Sequence, residues 1–514
     1  MANTATRIVK NTGWLYAKMA ITMFVSLYTT RLILNGLGAS DFGIYNIVGG
    51  AIAMLGFINS SMASSTQRFM SYAAGEGKVE RQKNIFNISF VIHFFLGILA
   101  VITFVIVGFC LFNGILNIPE NRKYAAIAVY GSLIVSTFFT MITVPYEAVM
   151  NAHENMKYFA IVGIFESFLK LIVAIAVLYS PIDKLIYYGI LMAAIPLISL
   201  TIMRIYCHCK YEECKISFRK YWDKPLAKEM AAFAGWGLLT SMTSMLTMQG
   251  MSILLNMFGG VVVNAAHGVA NQLTGQLMVF SNNMLKAVNP VIVKSRGAGD
   301  TEKMLSVSST SNKLSFLLFS LFTVPFVVET PYILKLWLKN PPEWAVMFTR
   351  LVLLRQMISQ TYITLESCIS ATGKIKEMTL ANTFIWIVPL PVSYALYKMS
   401  FPIYTIYIVL IVTAFVRGAN LMYFCRKLCN LDVVNYFTGV FVPCVMQFMI
   451  EFVLVTALCS CFEMSMLRLS LVIVVSVLLH LLLSYFITLN RQEKEILKKV
   501  VSHMKEKFFC YGVK

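Results

Sequence analysis

Residues 60–81 read SSMASSTQRFMSYAAGEGKVER, and residues 282–303 read NNMLKAVNPVIVKSRGAGDTEK. Laid over one another without gaps, Met62 falls on Met284, Gly75 on Gly297, Gly77 on Gly299 and Glu80 on Glu302, while Arg81 meets Lys303. Upstream, Gly13-Trp14 answers Gly235-Trp236, and Leu34-Asn35 with Gly38 answers Leu255-Asn256 with Gly259. The same order at a near-constant offset marks an internal duplication.

What is duplicated follows from composition. The 514 residues are 58% hydrophobic and 13% charged. A soluble chain averages about 45–50% apolar and 25% charged. Apolar runs of bilayer-spanning length recur at about 14–34, 42–65, 86–112, 124–146, 157–179, 184–206, 231–258, 262–288, 313–338, 346–370, 377–398, 402–424, 433–459 and 465–489. The expected fold is therefore an all-α polytopic membrane protein of about fourteen transmembrane helices. Two six-helix lobes with pseudo-two-fold symmetry are followed by two extra helices. The expected divisions are an N-lobe at 1–208, a cytoplasmic linker at 209–230, a C-lobe at 231–428, the extra helices at 429–490 and a basic tail at 491–514.

The net charge of +19 sits mostly in alternate short loops, at Lys78, Arg81, Lys83, Lys210, Lys215, Arg219, Lys220, Lys294, Arg296, Lys374, Lys376, Arg426 and Lys427. Basic loops face the cytoplasm, so both termini are expected there. This loop distribution, without basic–aromatic interleaving, argues against a nucleic-acid partner. The polar start and the long first run predict an uncleaved signal anchor. The cysteines fall mostly in apolar runs, so no disulfide framework is expected. The Cys207-His208-Cys209 run with Cys214 lacks a standard zinc spacing and is read as free thiols.

No HExxH, Walker, GxSxG or kinase signature occurs. The chain is expected to be a transporter rather than an enzyme. It needs no cofactor, and Na+ or H+ coupling stays open. Charges inside spans are then the informative residues, because each costs about 2.5–3.5 kcal/mol at a helix centre and must face a cavity or a partner. Lys18, Arg31 and Arg68 lie in the first two spans, with snorkelling to the interface as the alternative. Gln249 lies in the seventh. The eighth carries His267, Asn271, Gln272 and Lys286, too polar a set for a lipid-facing helix, with helix–helix hydrogen bonding as the alternative. Arg355 in the tenth is expected to pair with Glu366 or with another helix. Glu166 and Lys170, four apart in the fifth, are expected to neutralise one another or to couple an ion. Glu451 and His480 in the extra spans are given little functional weight.

The stretches SLYTTRLILNGLGASDFGIYNIVGG, VPYEAVMNAHENMKYFA, NAAHGVANQL, AVNPVIVKSRGAGD, ETPYILKLWLK and ATGKIK resemble bacterial polysaccharide flippases of the MATE-like multidrug, oligosaccharidyl-lipid and polysaccharide exporter superfamily. The resemblance runs from Arg7 to about Lys427. It implies a multi-pass, monomeric protein of the bacterial inner membrane. Such a protein moves undecaprenyl-diphosphate-linked oligosaccharide, the repeat unit of O-antigen, capsule or another polysaccharide, to the outer leaflet. Alternating access about a basic central cavity would drive the movement. The partners implied are the lipid-linked oligosaccharide, membrane lipid, and a polysaccharide polymerase or glycosyltransferases. Arg31 and Arg68 match basic positions of that pattern, whereas His267 stands where arginine is expected. The alternative within the superfamily is a MATE-type multidrug or cation antiporter driven by Na+ or H+.

Overall fold

The computed structural model describes residues 2–53, 56–115, 118–491 and 493–495, and the regular elements within them are helices. In chain order they are α1 Ala2–Ala53, α2 Gly56–Glu76, α3 Val79–Cys110, α4 Glu120–Ala152, α5 Met156–Leu178 and α6 Lys184–Lys210. A short α7, Phe218–Tyr221, precedes the long α8, Lys224–Gly297. Then come α9 Thr301–Leu338, α10 Ala345–Gln360, α11 Leu365–Ala371, α12 Lys376–Ile387, α13 Pro389–Lys398 and α14 Thr405–Cys429. The last are α15 Val433–Tyr436, α16 Val442–Ser460 and α17 Met466–Leu483.

All fourteen apolar runs fall on these helices. Among the described residues, ten helical stretches are long and apolar enough to cross a membrane by themselves. Of the four remaining runs, 14–34 carries Lys18 and Arg31, 262–288 carries His267, Asn271, Gln272 and Lys286, and 346–370 carries Arg355, while Arg68 lies just past the end of 42–65.

The duplication is written in the backbone. Within α1, Gly38 leaves helical geometry at φ 79°, ψ 166°, and within α8, Gly260 does the same at φ 75°, ψ −172°. That corner of conformational space is essentially open to glycine alone. Gly260, rather than the Gly259 matched from sequence, is therefore the residue that answers Gly38. The shared spacing of 222 residues holds again at the ends of α2 and α8, where Gly77 (φ 71°) and Gly299 (φ 79°) take left-handed conformations. Each stops its helix in the way a glycine just past a helix end does. The following helices, α3 and α9, start at Val79 and Thr301.

The chain divides into two compact units. One comprises Asn11–Ser241 with Gly297–Gly299. The other comprises Met242–Arg296 with the described parts of Asp300–Lys514 and Met1–Lys10. The first unit packs Val48, Phe104, Val129 and Leu185 in one core, and Ile33, Ala174, Val177 and Tyr188 in another. Arg122 of α4 ties its helix ends together. Its guanidinium donates to Asp41 and, at 2.5 Å, to Asp183. Burial by itself would raise the Asp183 carboxyl. Arg122 and the N–H groups of Leu185 and Ile186 outweigh it and hold the group below its usual value.

The second unit packs Leu255, Ala266, Phe348, Tyr407 and Leu410 together. The extra helices belong to it and are clamped onto α9. Arg468 reaches the fully buried Glu329 at 2.7 Å, and Lys313 reaches Glu493 at 3.0 Å. Between them, Glu451 pairs with His480 at 2.8 Å and accepts from Ser476 at 3.0 Å. These residues hold the extra helices in place.

An ideal Cβ on Gly38 or Gly260 meets nothing within 4 Å. Alanine at either is nevertheless expected to cost about 1–3 kcal/mol, because only the backbone objects. Thermal unfolding of the purified protein should show a lower midpoint for Gly38→Ala and for Gly260→Ala. An unchanged midpoint in both would show that the kinks are not imposed by glycine.

Candidate functional site

Three features of α10 and α11 build a polar site inside the second unit. Arg355 lies ten residues past Ala345, where α10 begins, or about 15 Å along the axis. That is half the thickness of a hydrocarbon core of about 30 Å. Residues 361–364 interrupt the helix as a turn, and Tyr362 and Ile363 of that turn line the site together with α10. Glu366 then sits in the first turn of α11. Opposite them, α14 brings Arg417 near its own midpoint and α12 brings Trp386.

A cavity of about 260 Å³ opens between these helices. Arg355, Ser359, Tyr362, Glu366, Trp386 and Arg417 line it. Arg417 donates to Glu366 at 2.6 Å and lies over the Trp386 ring at 5.3 Å. The Tyr362 hydroxyl donates to the Ala414 carbonyl at 2.9 Å. Gly418 lets that ring lie flat on α14, since a Cβ there would meet it at 2.8 Å. Of the two kinds of partner expected for Arg355, Glu366 is taken by Arg417, and no carboxylate of another helix pairs with Arg355 among the described residues. Arg355 has a long contact of 3.5 Å to Gln356. The Nε atoms of both Arg355 and Arg417 are buried without a hydrogen-bond partner. Two guanidiniums thus face one carboxylate, with donors to spare.

Beside the cavity, His267 is buried on α8. Its Nε2 lies 2.9 Å from the Asn271 amide nitrogen, and its Nδ1 lies 2.7 Å from the Tyr407 hydroxyl. An amide nitrogen only donates, so Nε2 accepts and Nδ1 carries the proton. The imidazole is neutral in this arrangement. Tyr407, whose ring lies 4.5 Å from that of Phe348 at a tilt of 38°, also feels the Arg355 charge. His267, Asn271 and Arg355 are thus brought to one region. Gln249 and Gln272 are exposed on α8 instead, and Lys286 is half-buried on the same helix.

The first unit holds a separate charge cluster. Lys18 of α1 lies over the Phe159 ring at 4.3 Å and against Gly163 of α5, where any Cβ would meet its Cε at 2.2 Å. Glu147, Glu166 and Lys170 are the charges that act on it. Lys170 and Glu166 pair at 2.7 Å. Arg68 is buried in a cage of Phe69, Tyr72 and Phe233, with ring centroids at 4.4, 5.4 and 5.1 Å, near Glu229. Such stacking stabilises a guanidinium in an apolar setting. Arg31 lies on α1, and its side chain is outside the described residues.

Reading the sequence missed Arg417, Trp386, Tyr407 and Glu147. The signal for Arg417 was present, since a charge mid-way along an apolar run is what singled out Arg355. The signal for the others was not, because their roles depend on which helices pack together.

Removing the Glu366 carboxylate leaves two uncompensated guanidiniums in the cavity. Glu366→Gln is expected to destabilise the protein by about 2 kcal/mol, the worth of a charged hydrogen bond. Arg417→Gln in the same background should recover part of that loss. A double-mutant cycle of unfolding midpoints checks this, and strict additivity would show that the pair is not coupled.

Residues 235–395 match the MatE family model. No curated protein sequence matches the chain. Solved structures resemble it along most of its length. One is an outward-facing multidrug-resistance MATE family transporter of the MOP superfamily (TM-score 0.71, 13% identity, covering 83% of this chain and 96% of that one). Another is a MATE protein in its bent conformation (TM-score 0.73, 14% identity, 84% and 98%). A third is a MOP superfamily transporter from Pyrococcus furiosus, described as having a binding pocket of reverse polarity that suggests a different function (TM-score 0.68, 13% identity, 83% and 96%). The middle of the chain thus carries a MATE family domain, and the chain as a whole has the fold of the MATE transporters of the MOP superfamily.

Proposed function

We propose that this protein is a flippase for lipid-linked oligosaccharide. It carries an undecaprenyl-diphosphate-linked repeat unit of O-antigen, capsule or another polysaccharide from the inner to the outer leaflet of the bacterial cytoplasmic membrane. Alternating access of the two lobes moves it. The observation that carries this reading is the charge of the cavity in the second unit, where Arg355 and Arg417 face the single carboxylate of Glu366. Guanidinium is the group best suited to a diphosphate, because its planar fork donates in pairs. Trp386 adds an aromatic face beside those donors. Lys286 and the polar groups Gln249, His267, Asn271 and Gln272 are the further head-group candidates of the second unit, and Lys18, Arg31 and Arg68 are those of the first. Glu166 and Lys170 serve as a structural ion pair, with ion coupling as the alternative role. Both termini lie in the cytoplasm, where a glycosyltransferase would deliver the cargo. A polymerase would receive it on the far side.

In a strain lacking its own flippase, Arg355→Ala and Arg417→Ala proteins that reach the membrane at normal levels should export polysaccharide at least about tenfold less well. A lost charged hydrogen bond of about 1.5–3 kcal/mol corresponds to that factor. Full export by both variants would remove the cavity from the mechanism.

A MATE-type cation antiporter is the second reading. It is favoured by the MatE match over residues 235–395 and by the carboxylates Glu147 and Glu166 near Lys18 in the first unit. Purified protein in liposomes separates the two. The flippase reading expects movement of a lipid-diphosphate sugar and no Na+- or H+-driven uptake of an organic cation such as ethidium. The opposite pattern would establish the antiporter.

A further inference from the structure

We propose that a groove between α3 and the segment joining the lobes is a binding site for an anionic phospholipid of the leaflet next to the basic loops. The segment is fixed in place, so the groove is built. The Asn87 amide donates to the Lys215 carbonyl at 2.9 Å and accepts from the Ser217 N–H at 2.8 Å. Phe218 stacks on Phe90 with centroids 5.9 Å apart. Tyr221 is buried, with the ammonium groups of Lys220 and Lys83 over its ring at 5.2 and 6.0 Å.

The groove that results has a volume of about 670 Å³. Phe90, Val91, Phe94 and Phe95 of α3 form one wall, and Phe218 and Trp222 form the other. Arg219 stands with them, exposed and without an ion pair among the described residues. Lys215 and Lys220 are likewise exposed and free of ion pairs among the described residues. The nearby acids are engaged. Glu80 pairs with Lys83 at 2.8 Å, Glu213 accepts from His153, and Asp223 accepts from the Leu226 N–H at 3.1 Å. Glu212 is the one acid of the 209–222 stretch left exposed among the described residues. The groove therefore offers the Arg219 guanidinium, with Lys215 and Lys220 nearby in sequence, beside an aromatic slot that includes Trp222, a residue favoured at the membrane interface.

That combination matches a phosphate head group with acyl chains running inward. The wall from Phe90 to Phe95 extends about 8 Å along the helix. That is about half of a leaflet's apolar depth of ~15 Å, a seat for the upper part of acyl chains rather than for a long polyprenyl chain. Each basic residue near an anionic lipid surface is worth about fivefold in affinity. The site is independent of the cargo proposed above.

Trp222 is a reporter inside the groove. The full-length protein is placed in phosphatidylcholine nanodiscs containing either phosphatidylglycerol or phosphatidylcholine with brominated acyl chains. The emission that depends on Trp222 is taken as wild type minus Trp222→Phe. Brominated phosphatidylglycerol should quench it at about fivefold lower mole fraction than brominated phosphatidylcholine. Arg219→Gln should remove most of that preference, and Lys215→Gln with Lys220→Gln serves the same purpose if the first variant does not insert. Equal quenching by the two lipids in the wild type, or a preference untouched by these variants, would overturn the proposal. So would displacement of the brominated phosphatidylglycerol by stoichiometric polyprenyl phosphate, which would assign the groove to another lipid.

Discussion

A charge inside a bilayer needs an answering group, and most of this structure's tertiary order follows from that need. Glu329 would be unstable alone in α9, and Arg468 of α17 stabilises it. Lys313 near the other end of α9 is answered by Glu493. These two pairs, about 24 Å apart along α9, fix the register of the extra helices against it more firmly than their apolar faces could. Apolar faces slide against one another in lipid, since tails are as apolar as leucine. Arg350 shows the same logic applied to backbone. Pro331 has no N–H for the Val327 carbonyl. The guanidinium of Arg350 donates to that carbonyl at 2.8 Å and to Val328 at 3.2 Å.

Against that background the Arg355–Arg417 cavity departs from the rule. The other ion pairs of the second unit balance one to one. Here Glu366 pairs with Arg417 alone, Arg355 has no carboxylate partner among the described residues, and two buried Nε donors remain. Local rules that fail at one place usually fail for function. The neighbouring His267 carries no such surplus, because Asn271 and Tyr407 satisfy both ring nitrogens. Its neutrality leaves the positive charge of this region concentrated on the two arginines.

The helical architecture was legible in the sequence because its cause is one-dimensional. Apolar runs of spanning length can only be helices or barrel strands in lipid, and runs above twenty residues can only be helices. The repeat was legible for a related reason: Gly77 and Gly299 are needed by the backbone, so they persist where side chains drift. The match failed by one residue at Gly38 because Gly259 and Gly260 adjoin, and only φ and ψ tell them apart. The site was half legible. Arg355 and His267 were visible as polar residues in apolar runs. Their partners were not visible. Which carboxylate meets which guanidinium depends on helix packing, and the sequence did not single out Arg417 as the partner of Glu366.

One backbone feature bears on descent. The third turn common to both halves follows α4 in one and α11 in the other. Glycine holds the left-handed position in the second, Gly373 at φ 79°, whereas Glu154 holds it in the first at φ 56°. Glu154 tolerates the strain because its carbonyl accepts the Asn11 side chain at 2.9 Å. One half thus meets the left-handed position with a glycine, and the other with a glutamate whose carbonyl is held by a hydrogen bond, whereas the kinks at Gly38 and Gly260 use glycine in both halves. Ancestry in such a chain is best read from handedness at a few turns, where an identity of 13–14% to solved relatives would leave it faint.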